Sequence, residues 1–268
     1  MVKGCAHDLG LSLTHDPRIE RNSIDAVRML LGTPNVDVNA AKTDGWAPLL
    51  TASHQGFVEC VQLLVDAGAS LNNCNRNGAT ALYVASQNGH GQVVQILLDA
   101  GADASIAKST DGWTPLLIAA QKPHLAVVDI LIAHGVALNQ QNNNGATALF
   151  VASQSQNAEV VAALIAAGAD IDMAKNDGST PLYTACDKGG NTIVGALLAA
   201  GANPRISKSD GWSSLLTAAH RGHIAVAQLL LDAGAYANCA NWNGATALYM
   251  AAQNGHADVV DLLLDFGA

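Results

Sequence analysis

The composition of the chain limits what the protein can be. It has 268 residues, of which 50% are hydrophobic and only 4% aromatic, so small and aliphatic side chains must fill its core. The formal net charge of −9 argues against broad binding to the phosphate backbone of nucleic acids. No apolar run is long enough to span a membrane, we expect no secretory signal, and the five cysteines lack paired spacing. We therefore expect an intracellular, cytoplasmic protein that binds neither membrane nor nucleic acid.

The first predicted element is a single helix in the N-terminal region. Residues 25–41 (DAVRMLLGTPNVDVNAA) have the pattern of a helix that is followed by an exit loop. The preceding stretch LSLTHDPRIERNS is poor in small residues. We interpret residues 1–43 as a degenerate capping unit, because the end of a repeat array needs a more polar outer face.

The rest of the chain contains seven copies of one repeated unit. Two short phrases recur, of the types DGWTPLL and NGATALY, at steps of 33 residues with one step of 34. The seven repeats begin at residues 44, 77, 111, 144, 177, 210 and 243 and extend to residue 268. A fixed period of this length indicates a stacked repeat architecture.

Each repeat predicts two short helices. In the repeat that begins at residue 111, Asp111-Gly112 forms a turn, Thr114 caps the first helix and Pro115 occupies its first position. A second run of aliphatic residues follows and ends at Gly135, which is free to adopt a positive φ. Other repeats keep Thr or Ser at the cap, except at Ala47. Helices this short are stable only when they stack on their neighbours.

A repeat with this order of turn, Thr-Pro-Leu helix, aliphatic second helix and closing Gly-Ala resembles the ankyrin repeat. The resemblance covers residues 44–268. It implies an all-α solenoid of stacked helix-turn-helix units that are joined by β-turn or hairpin loops. The family usually has His after Thr-Pro-Leu, where it ties neighbouring loops together. Here that seventh position of the repeat holds Leu50, Tyr83, Leu117, Phe150, Tyr183, Leu216 and Tyr249. A bond made by such a His is therefore not expected.

The sequence shows no pattern of catalytic residues. His90, His223 and His256 follow Gly at a step that the family uses structurally. His220 and His223 are three residues apart and could share a helix face, but no cysteine or acidic cluster joins them to make a metal site. Asp187 and Lys188 fit a solvated ion pair. We therefore expect a protein that is not an enzyme and needs no cofactor.

Acidic residues also end several second helices. Asp66, Asp99, Asp232 and Asp265 lie in the last helical turn, where the helix dipole favours cations. The sequence alone offers no physical reason for this choice.

Tryptophan residues are the first candidates for binding. The resemblance implies that partners contact the turn tips and the concave face of the first helices, and it places Trp46, Trp113 and Trp212 at turn tips. Tryptophan is enriched among residues that dominate binding energy. Each ring could instead lie across the small Ala or Ser of the adjacent turn, and the sequence leaves both alternatives open.

The ends of the first helices carry a second set of candidates. These side chains are polar and varied, although any one of them could be an ordinary solvated residue. They are His54, Gln55, Gln87, Asn88, Gln121, Lys122, Gln154, Ser155, Asp187, Lys188, His220, Arg221, Gln253 and Asn254. Charges of both signs lie on this side, which fits a protein segment with some acidic character better than DNA.

We therefore predict a monomeric module that binds another protein. Two alternatives stay open, namely a structural spacer array without a specific partner and the substrate-targeting part of a larger enzyme. The sequence stops directly after a second helix, and we expect it to be a fragment of a longer protein.

Overall fold

The computed structural model describes residues 24–268, and residues 1–23 of the predicted capping unit lie outside the described part. The chain divides into two compact units. Within the described residues, one comprises residues 24–119 with Ala133–Val136, and the other comprises Ala120–Ile132 with Ala137–Ala268. They are referred to below as the N-terminal unit and the C-terminal unit.

Fifteen α-helices form the secondary structure of residues 24–268. In chain order they are α1 (Ile24–Leu31), α2 (Pro48–Gln55), α3 (Val58–Asp66), α4 (Ala81–Asn88), α5 (Gly91–Asp99), α6 (Pro115–Gln121), α7 (Leu125–Ala133), α8 (Ala148–Gln154), α9 (Ala158–Ala166), α10 (Pro181–Lys188), α11 (Asn191–Ala199), α12 (Ser214–Arg221), α13 (Ile224–Asp232), α14 (Ala247–Gln253) and α15 (Ala257–Asp265). From residue 44 onward, each of the seven repeats contains two helices.

The first helix of each pair begins at its predicted cap. The Thr80 hydroxyl accepts a hydrogen bond from the main-chain N–H of Tyr83 at 3.2 Å. Equivalent bonds are made by Thr114, Thr147, Thr180, Ser213 and Thr246. Ala47 has the same extended backbone and makes no side-chain cap. The cap predictions are confirmed, because Thr or Ser satisfies a main-chain donor that the helix leaves free.

The second helix of each pair ends at the predicted glycine. These seven glycines have φ values between 71° at Gly135 and 96° at Gly201. The left-handed conformation is accessible to glycine without steric cost, which explains its recurrence at this position.

Packing within each unit follows the order of the repeats. In the N-terminal unit, α2 packs on α4, while α3 packs on α1 and α5. In the C-terminal unit, the first helices α8, α10, α12 and α14 pack in series, as do the second helices α9, α11, α13 and α15. Fully buried leucines fill the layer between the two series, among them Leu82, Leu97, Leu149 and Leu164. Stacking therefore buries the apolar faces that isolated pairs would expose.

The loops carry little extended structure. Among residues 24–268, isolated antiparallel bridges join Cys74 to Thr80, Ser207 to Ser213 and Ala240 to Thr246. Each bridge brings the exit loop of one repeat back against the first-helix cap of the next. The all-α fold with hairpin-like connections is confirmed.

Three of the four acidic helix ends, at Asp66, Asp99 and Asp232, acquire an explanation. Gln62 donates to Asp66 at 2.8 Å, Gln95 donates to Asp99 at 2.9 Å, and Gln228 donates to Asp232 at 2.9 Å. Each pair is spaced by four residues, which places both side chains on one helix face. A local hydrogen bond therefore offsets the unfavourable interaction with the helix dipole.

Two further properties concern the same described residues. No helix within residues 24–268 combines the length and the apolar character that a membrane crossing requires. Among these residues, Cys60, Cys74, Cys186 and Cys239 are not joined in disulfide bonds.

Candidate functional site

The turn tips hold the main chain of the three predicted tryptophans in one geometry. Asp210 Oδ1 accepts the main-chain N–H of Trp212 at 3.1 Å. The carbonyl of Trp212 accepts the N–H of Lys208 at 2.9 Å. Trp46 and Trp113 donate to Asp44 and Asp111 at 3.2 Å in the same way. The backbone of each turn is therefore fixed by its own Asp, as the turn chemistry predicts.

The indole rings of the N-terminal unit contact a neighbouring cluster. Trp46 and Trp113 are half-buried and pack against a group formed by Ala79, Tyr83, Val84 and Ile118. Ala79 is the small residue at the tip of the turn between them. In this unit the rings therefore cover a neighbouring turn, which is one of the two alternatives that the sequence leaves open.

Trp212 lines two surface hollows in the C-terminal unit. The first, of about 220 Å³, is also lined by Tyr183, Thr217, His220 and Arg221. The second, of about 470 Å³, is lined by Tyr249 and other residues of the last repeat. Trp212 is half-buried and therefore remains accessible from both hollows.

A tryptophan–histidine contact joins the turn tip to the end of the first helix. Trp46 and His54 have ring centroids 5.4 Å apart at an interplanar angle of 82°. Trp212 and His220 have ring centroids 5.6 Å apart at 86°. Edge-to-face geometry of this kind is favourable. The two predicted sets of residues therefore form one continuous surface at each of these positions.

Several members of the helix-end set bind each other across adjacent repeats. Asn88 Nδ2 lies 2.8 Å from His54 Nδ1 and donates to the His54 carbonyl at 2.9 Å. His90 Nε2 lies 3.0 Å from the same carbonyl. In the C-terminal unit, Asn254 and His256 make corresponding contacts with His220, through Nδ1 at 3.1 Å and the carbonyl at 3.1 Å. These side chains are therefore held in place before any partner binds.

Asp187 pairs with two basic residues, of which the sequence suggests only Lys188. Its Oδ1 accepts a hydrogen bond from Arg221 Nε at 3.0 Å and lies 2.9 Å from a terminal guanidinium nitrogen. Lys188 lies 3.9 Å from the other carboxylate oxygen. The solvated Asp187–Lys188 pair is therefore present. The structure adds a two-point interaction of Asp187 with Arg221 of the next repeat, since stacking brings the two helix ends together.

The remaining predicted residues lie at the rim of the same face. Those with exposed side chains are Gln55, Gln87, Gln121, Lys122, Gln154 and Gln253, and Ser155 is half-buried. The main chain at this rim is also tied to the next repeat, because Asn157 Nδ2 donates to the carbonyls of Ala120 and Gln121 at 3.0 and 3.3 Å. Their role in binding stays a prediction.

His220 and His223 do not share a helix face. Helix α12 ends at Arg221, Gly222 adopts a φ of 72°, and His223 is the residue before α13. His220 faces Asn254, whereas the ring of His223 lies against Gly189. Residues 24–268 contain no group of three or more potential metal ligands.

A lysine contacts the aromatic residue at the seventh position. The distance from the ammonium nitrogen to the ring centroid is 6.0 Å for Lys108 and Tyr83, 5.2 Å for Lys175 and Phe150, and 5.5 Å for Lys208 and Tyr183. The same nitrogens lie 2.8, 4.0 and 3.3 Å from Asp111, Asp177 and Asp210 of the next turn. Lysine thus links a first helix to the following turn, at the position where the family usually has histidine.

Charges beside Trp212 perturb each other. Partial burial alone lowers the pKa of Lys208, but its hydrogen bond to Asp210 and the charges of Asp210 and Asp177 raise the pKa above the ordinary value. Burial alone raises the pKa of Asp210, but the Trp212 N–H and Lys208 outweigh it and the pKa falls below the ordinary value. Both groups are therefore held in the charged form.

Sequence reasoning missed four exposed aromatic residues in the last part of the chain, namely Tyr236, Trp242, Tyr249 and Phe266. Trp242 is 80% exposed and Tyr249 is 56% exposed. Tyr236 is also exposed and lies under the Arg205 guanidinium at 4.3 Å from its ring centroid. Trp242 stands outside the recurring phrases, but it directly precedes the Asn243-Gly244 turn, and this position was the available signal.

Comparisons with known proteins agree with this architecture. The family model described as ankyrin repeats in three copies matches residues 19–108, 100–177 and 182–268. A search among curated proteins finds no match. The crystal structure of the ankyrin repeat domain of Bcl-3, described as a unique member of the IkappaB protein family, is similar with a TM-score of 0.75 and 30% sequence identity. The alignment covers 82% of this chain and 99% of that chain.

Ankyrin repeats are generally protein–protein interaction modules, and domains built from them are typically not enzymes. The match extends over most of the chain, the closing glycines and helix pairs recur in every repeat, and Thr or Ser caps the first helix in every repeat except the one that begins at residue 44. The protein belongs to the ankyrin-repeat family.

Proposed function

We propose that this protein is a monomeric recognition module that binds another protein and performs no catalysis. Its contact surface comprises the turn tips at Trp46, Trp113 and Trp212 together with the ends of the first helices. The observation that carries the proposal is the position of Trp212, whose half-buried ring borders two hollows and contacts His220.

Such a surface has the features that favour protein binding. Interface residues that dominate affinity are commonly Trp, Tyr and Arg, and they lie in hollows from which the partner excludes water. Trp212, Tyr183 and Arg221 line one hollow. Hydrogen bonds across adjacent repeats hold His220 and Arg221 in place, which lowers the entropy lost on binding.

The proposal is tested by comparing partner capture between variants. Proteins retained from native cell extract by the wild-type chain are identified by mass spectrometry, and capture is repeated with Trp46→Ala, Trp113→Ala and Trp212→Ala combined. We expect the retained proteins to fall at least about tenfold, because each buried interface tryptophan contributes roughly 2 kcal/mol or more. Circular dichroism checks that helical content is unchanged.

A matched control is Ile224→Ala. Ile224 is an exposed apolar residue at the start of a second helix, outside the proposed surface. This variant should retain the same proteins as the wild type. Equal capture by the triple variant would refute the assignment of the surface. A wild-type chain that retains no specific protein, together with a Trp242→Phe variant whose remaining tryptophan fluorescence resists quenching by acrylamide, would favour a spacer array.

A further inference from the structure

We infer that a hollow of about 230 Å³ between two repeats of the C-terminal unit binds the side chain of a histidine in the partner protein. The hollow is lined by Pro123 and Leu125 of one repeat and by residues 156–160 of the next. It is called the Pro123 hollow below. Gln121 and Gln154 of the helix-end rim directly precede these loops in the chain. The inference therefore rests on the proposed function and specifies the chemistry of the partner.

Histidine rings lie against glycines of the preceding repeat at three other junctions. The pairs are Gly56 with His90, Gly189 with His223, and Gly222 with His256. A methyl group added to any of these glycines would come within 2.6–2.9 Å of the ring. The glycine is the thirteenth residue of its repeat, and the histidine is the fourteenth residue of the next. At these junctions an imidazole of the chain itself therefore fills the space between the two loops.

The junction at the Pro123 hollow lacks such a ring. Pro123 stands at the glycine position, and Asn157 stands at the histidine position. Asn157 Nδ2 donates to the carbonyl of Gln121 at 3.3 Å, just as His90 Nε2 contacts the equivalent carbonyl of His54 at 3.0 Å. The shorter side chain reaches the same carbonyl without placing a ring between the loops, and the hollow remains.

Gln156 does not take the place of the ring. Its amide nitrogen donates to the carbonyl of Ser153 at 2.8 Å. Its side chain lies against Gly190, at the fourteenth position of the following repeat. The amide of Gln156 is therefore engaged elsewhere, and the hollow is open to a side chain from another protein.

The hollow offers hydrogen-bond acceptors that the chain leaves unused. Glu159 is exposed and is the only charged residue in the lining. Within residues 24–268, its carboxylate makes neither a hydrogen bond nor an ion pair, and Lys122 nearby in the chain does not contact it. Both side-chain bonds of Asn157 are made by Nδ2, so its Oδ1 is also unused in the described part of the chain. A ligand that donates a hydrogen bond fits these groups.

Main-chain donors lie in the same lining. Helix α9 begins at Ala158, and its first N–H groups have no partner within the helix. Asn157 precedes the helix and makes no side-chain cap. The hollow therefore presents donors as well as acceptors, and its ligand must both accept and donate.

Imidazole meets this requirement. The neutral ring has one N–H donor and one acceptor nitrogen, whereas Lys and Arg side chains only donate and carboxylates only accept. Amide side chains of Asn and Gln also do both, but they lack the ring that fills the equivalent space at three other junctions. A histidine combines both properties.

Size and apolar lining fit one ring. Pro123, Leu125, Ala158 and Val160 provide the apolar part of the lining. The volume of the hollow is below the range of roughly 300–1,000 Å³ that is usual for small-molecule sites. We therefore assign the hollow to a single side chain of a protein segment.

The chain offers a variant that closes the hollow. Pro123→Gly combined with Asn157→His recreates the glycine–histidine pair of the other junctions and should place the chain's own ring in the hollow. Random displayed peptides are selected on the wild-type chain, and those that also bind this double variant are removed. We expect the remaining peptides to share a histidine at one position. Its replacement by Ala, Lys or Arg should raise Kd by about tenfold or more.

A surface substitution provides an independent test. Glu159→Gln should raise the Kd of the histidine peptides by about fivefold, because a charged acceptor makes the stronger hydrogen bond. Glu59→Gln is the matched control, since Glu59 has the same position in the repeat that begins at residue 44. This control should bind like the wild type. Circular dichroism checks that every variant keeps its helical content.

The outcomes separate the histidine site from the general function. Remaining peptides that share Lys, Arg or an amide residue, or that share no residue, would overturn the histidine site and leave the proposed function intact. The site is also refuted if no peptide distinguishes the wild type from the double variant, or if Glu159→Gln binds like the wild type. The proposed function fails on a different result, namely equal capture by the triple tryptophan variant, in which Asn157 and Glu159 are unchanged.

Discussion

The ammonium nitrogen of Lys208 lies 5.5 Å from the ring centroid of Tyr183. Tyr183 lies at the seventh position of a repeat, and Lys208 belongs to the exit loop of the same repeat. The repeats of this chain show only two combinations of residues at the seventh position and at the exit-loop position of Lys208. An aromatic residue occurs with Lys (Tyr83 and Lys108, Phe150 and Lys175, Tyr183 and Lys208), and a leucine occurs with Asn (Leu50 and Asn75, Leu117 and Asn142, Leu216 and Asn241).

This pairing predicts a measurable coupling between Tyr183 and Lys208. Tyr183→Leu and Lys208→Asn should each destabilise the chain, while the double variant recreates the leucine–asparagine combination and should recover part of the loss. We expect a coupling free energy of about 0.5–1 kcal/mol from a double-mutant cycle in urea. Additive effects of the two substitutions would show that the ring and the ammonium group do not interact.

Asp210 predicts a dependence of stability on pH. Burial alone raises its pKa, but the N–H of Trp212 and the ammonium of Lys208 outweigh burial and lower the pKa in the folded chain. A lowered folded pKa gives stability that is present above the unfolded value of about 3.9 and is lost as pH falls through the folded value. Asp210→Asn should therefore lose less stability than the wild type between about pH 5 and pH 2.

Urea midpoints measured across that pH range test this expectation. Lys208→Gln removes the ammonium group beside Asp210 but keeps the N–H of Trp212. The dependence of its urea midpoint on pH should therefore lie between those of the wild type and Asp210→Asn. Identical slopes in the wild type and Asp210→Asn would contradict the role of Asp210.

The uncapped helix α2 offers a stabilising substitution. Ala47 has φ −86° and ψ 164°, as the capped positions do, but it supplies no acceptor. Ala47→Ser should add a bond to the N–H of Leu50 and stabilise the chain by about 0.5–1 kcal/mol. Removal of an existing cap by Thr147→Ala should cost about 1 kcal/mol. Urea titration followed by circular dichroism measures both, and an unchanged midpoint for Ala47→Ser would show that the hydroxyl does not cap α2.

Two glycines with equal backbone conformation should respond differently to alanine. Gly56 and Gly68 have φ values of 76° and 79°. A methyl group on Gly56 would lie 2.6 Å from the ring of His90, whereas none would meet an atom within 4 Å at Gly68. Gly68→Ala should cost roughly 1–2 kcal/mol for the left-handed conformation.

Gly56→Ala should cost about 1 kcal/mol more than Gly68→Ala, because His90 must move and lose its contact with the His54 carbonyl. Urea midpoints of the two variants provide the comparison. Equal destabilisation would show that the ring of His90 moves aside at no cost.

Local signals were sufficient to predict the helices. The cap at Thr147, the closing glycine at Gly168 and the aliphatic run between Val160 and Leu164 act within one repeat, and the structure has each in the expected role. Sevenfold recurrence of these signals made the prediction of the fold secure, since each repeat satisfies the same local requirements.

The environment of the tryptophan rings could not be predicted in the same way. Trp46, Trp113 and Trp212 share a turn phrase, yet the first two pack on a cluster and the third borders two hollows. Side chains from other repeats determine these surroundings, and the turn phrase does not specify them. The pairing of Asp187 with Arg221 escaped prediction for the same reason, because 34 residues separate them.

The lysine contact has a consequence for how the array can change length. The repeat of residues 177–209 begins with Asp177, and its exit loop carries Lys208. Deletion of this repeat would connect the exit loop that carries Lys175 to the turn that carries Asp210. A lysine would then still precede an aspartate where the two repeats meet. Deletion of residues 210–242 would instead join Lys208 to the turn of Asn243 and remove the acidic partner. Recombination between repeats is thus constrained by the residues at each junction. Residues 177–209 form an insert whose gain or loss keeps the lysine–aspartate contact at the junction, although its loss removes Asp187 from Arg221.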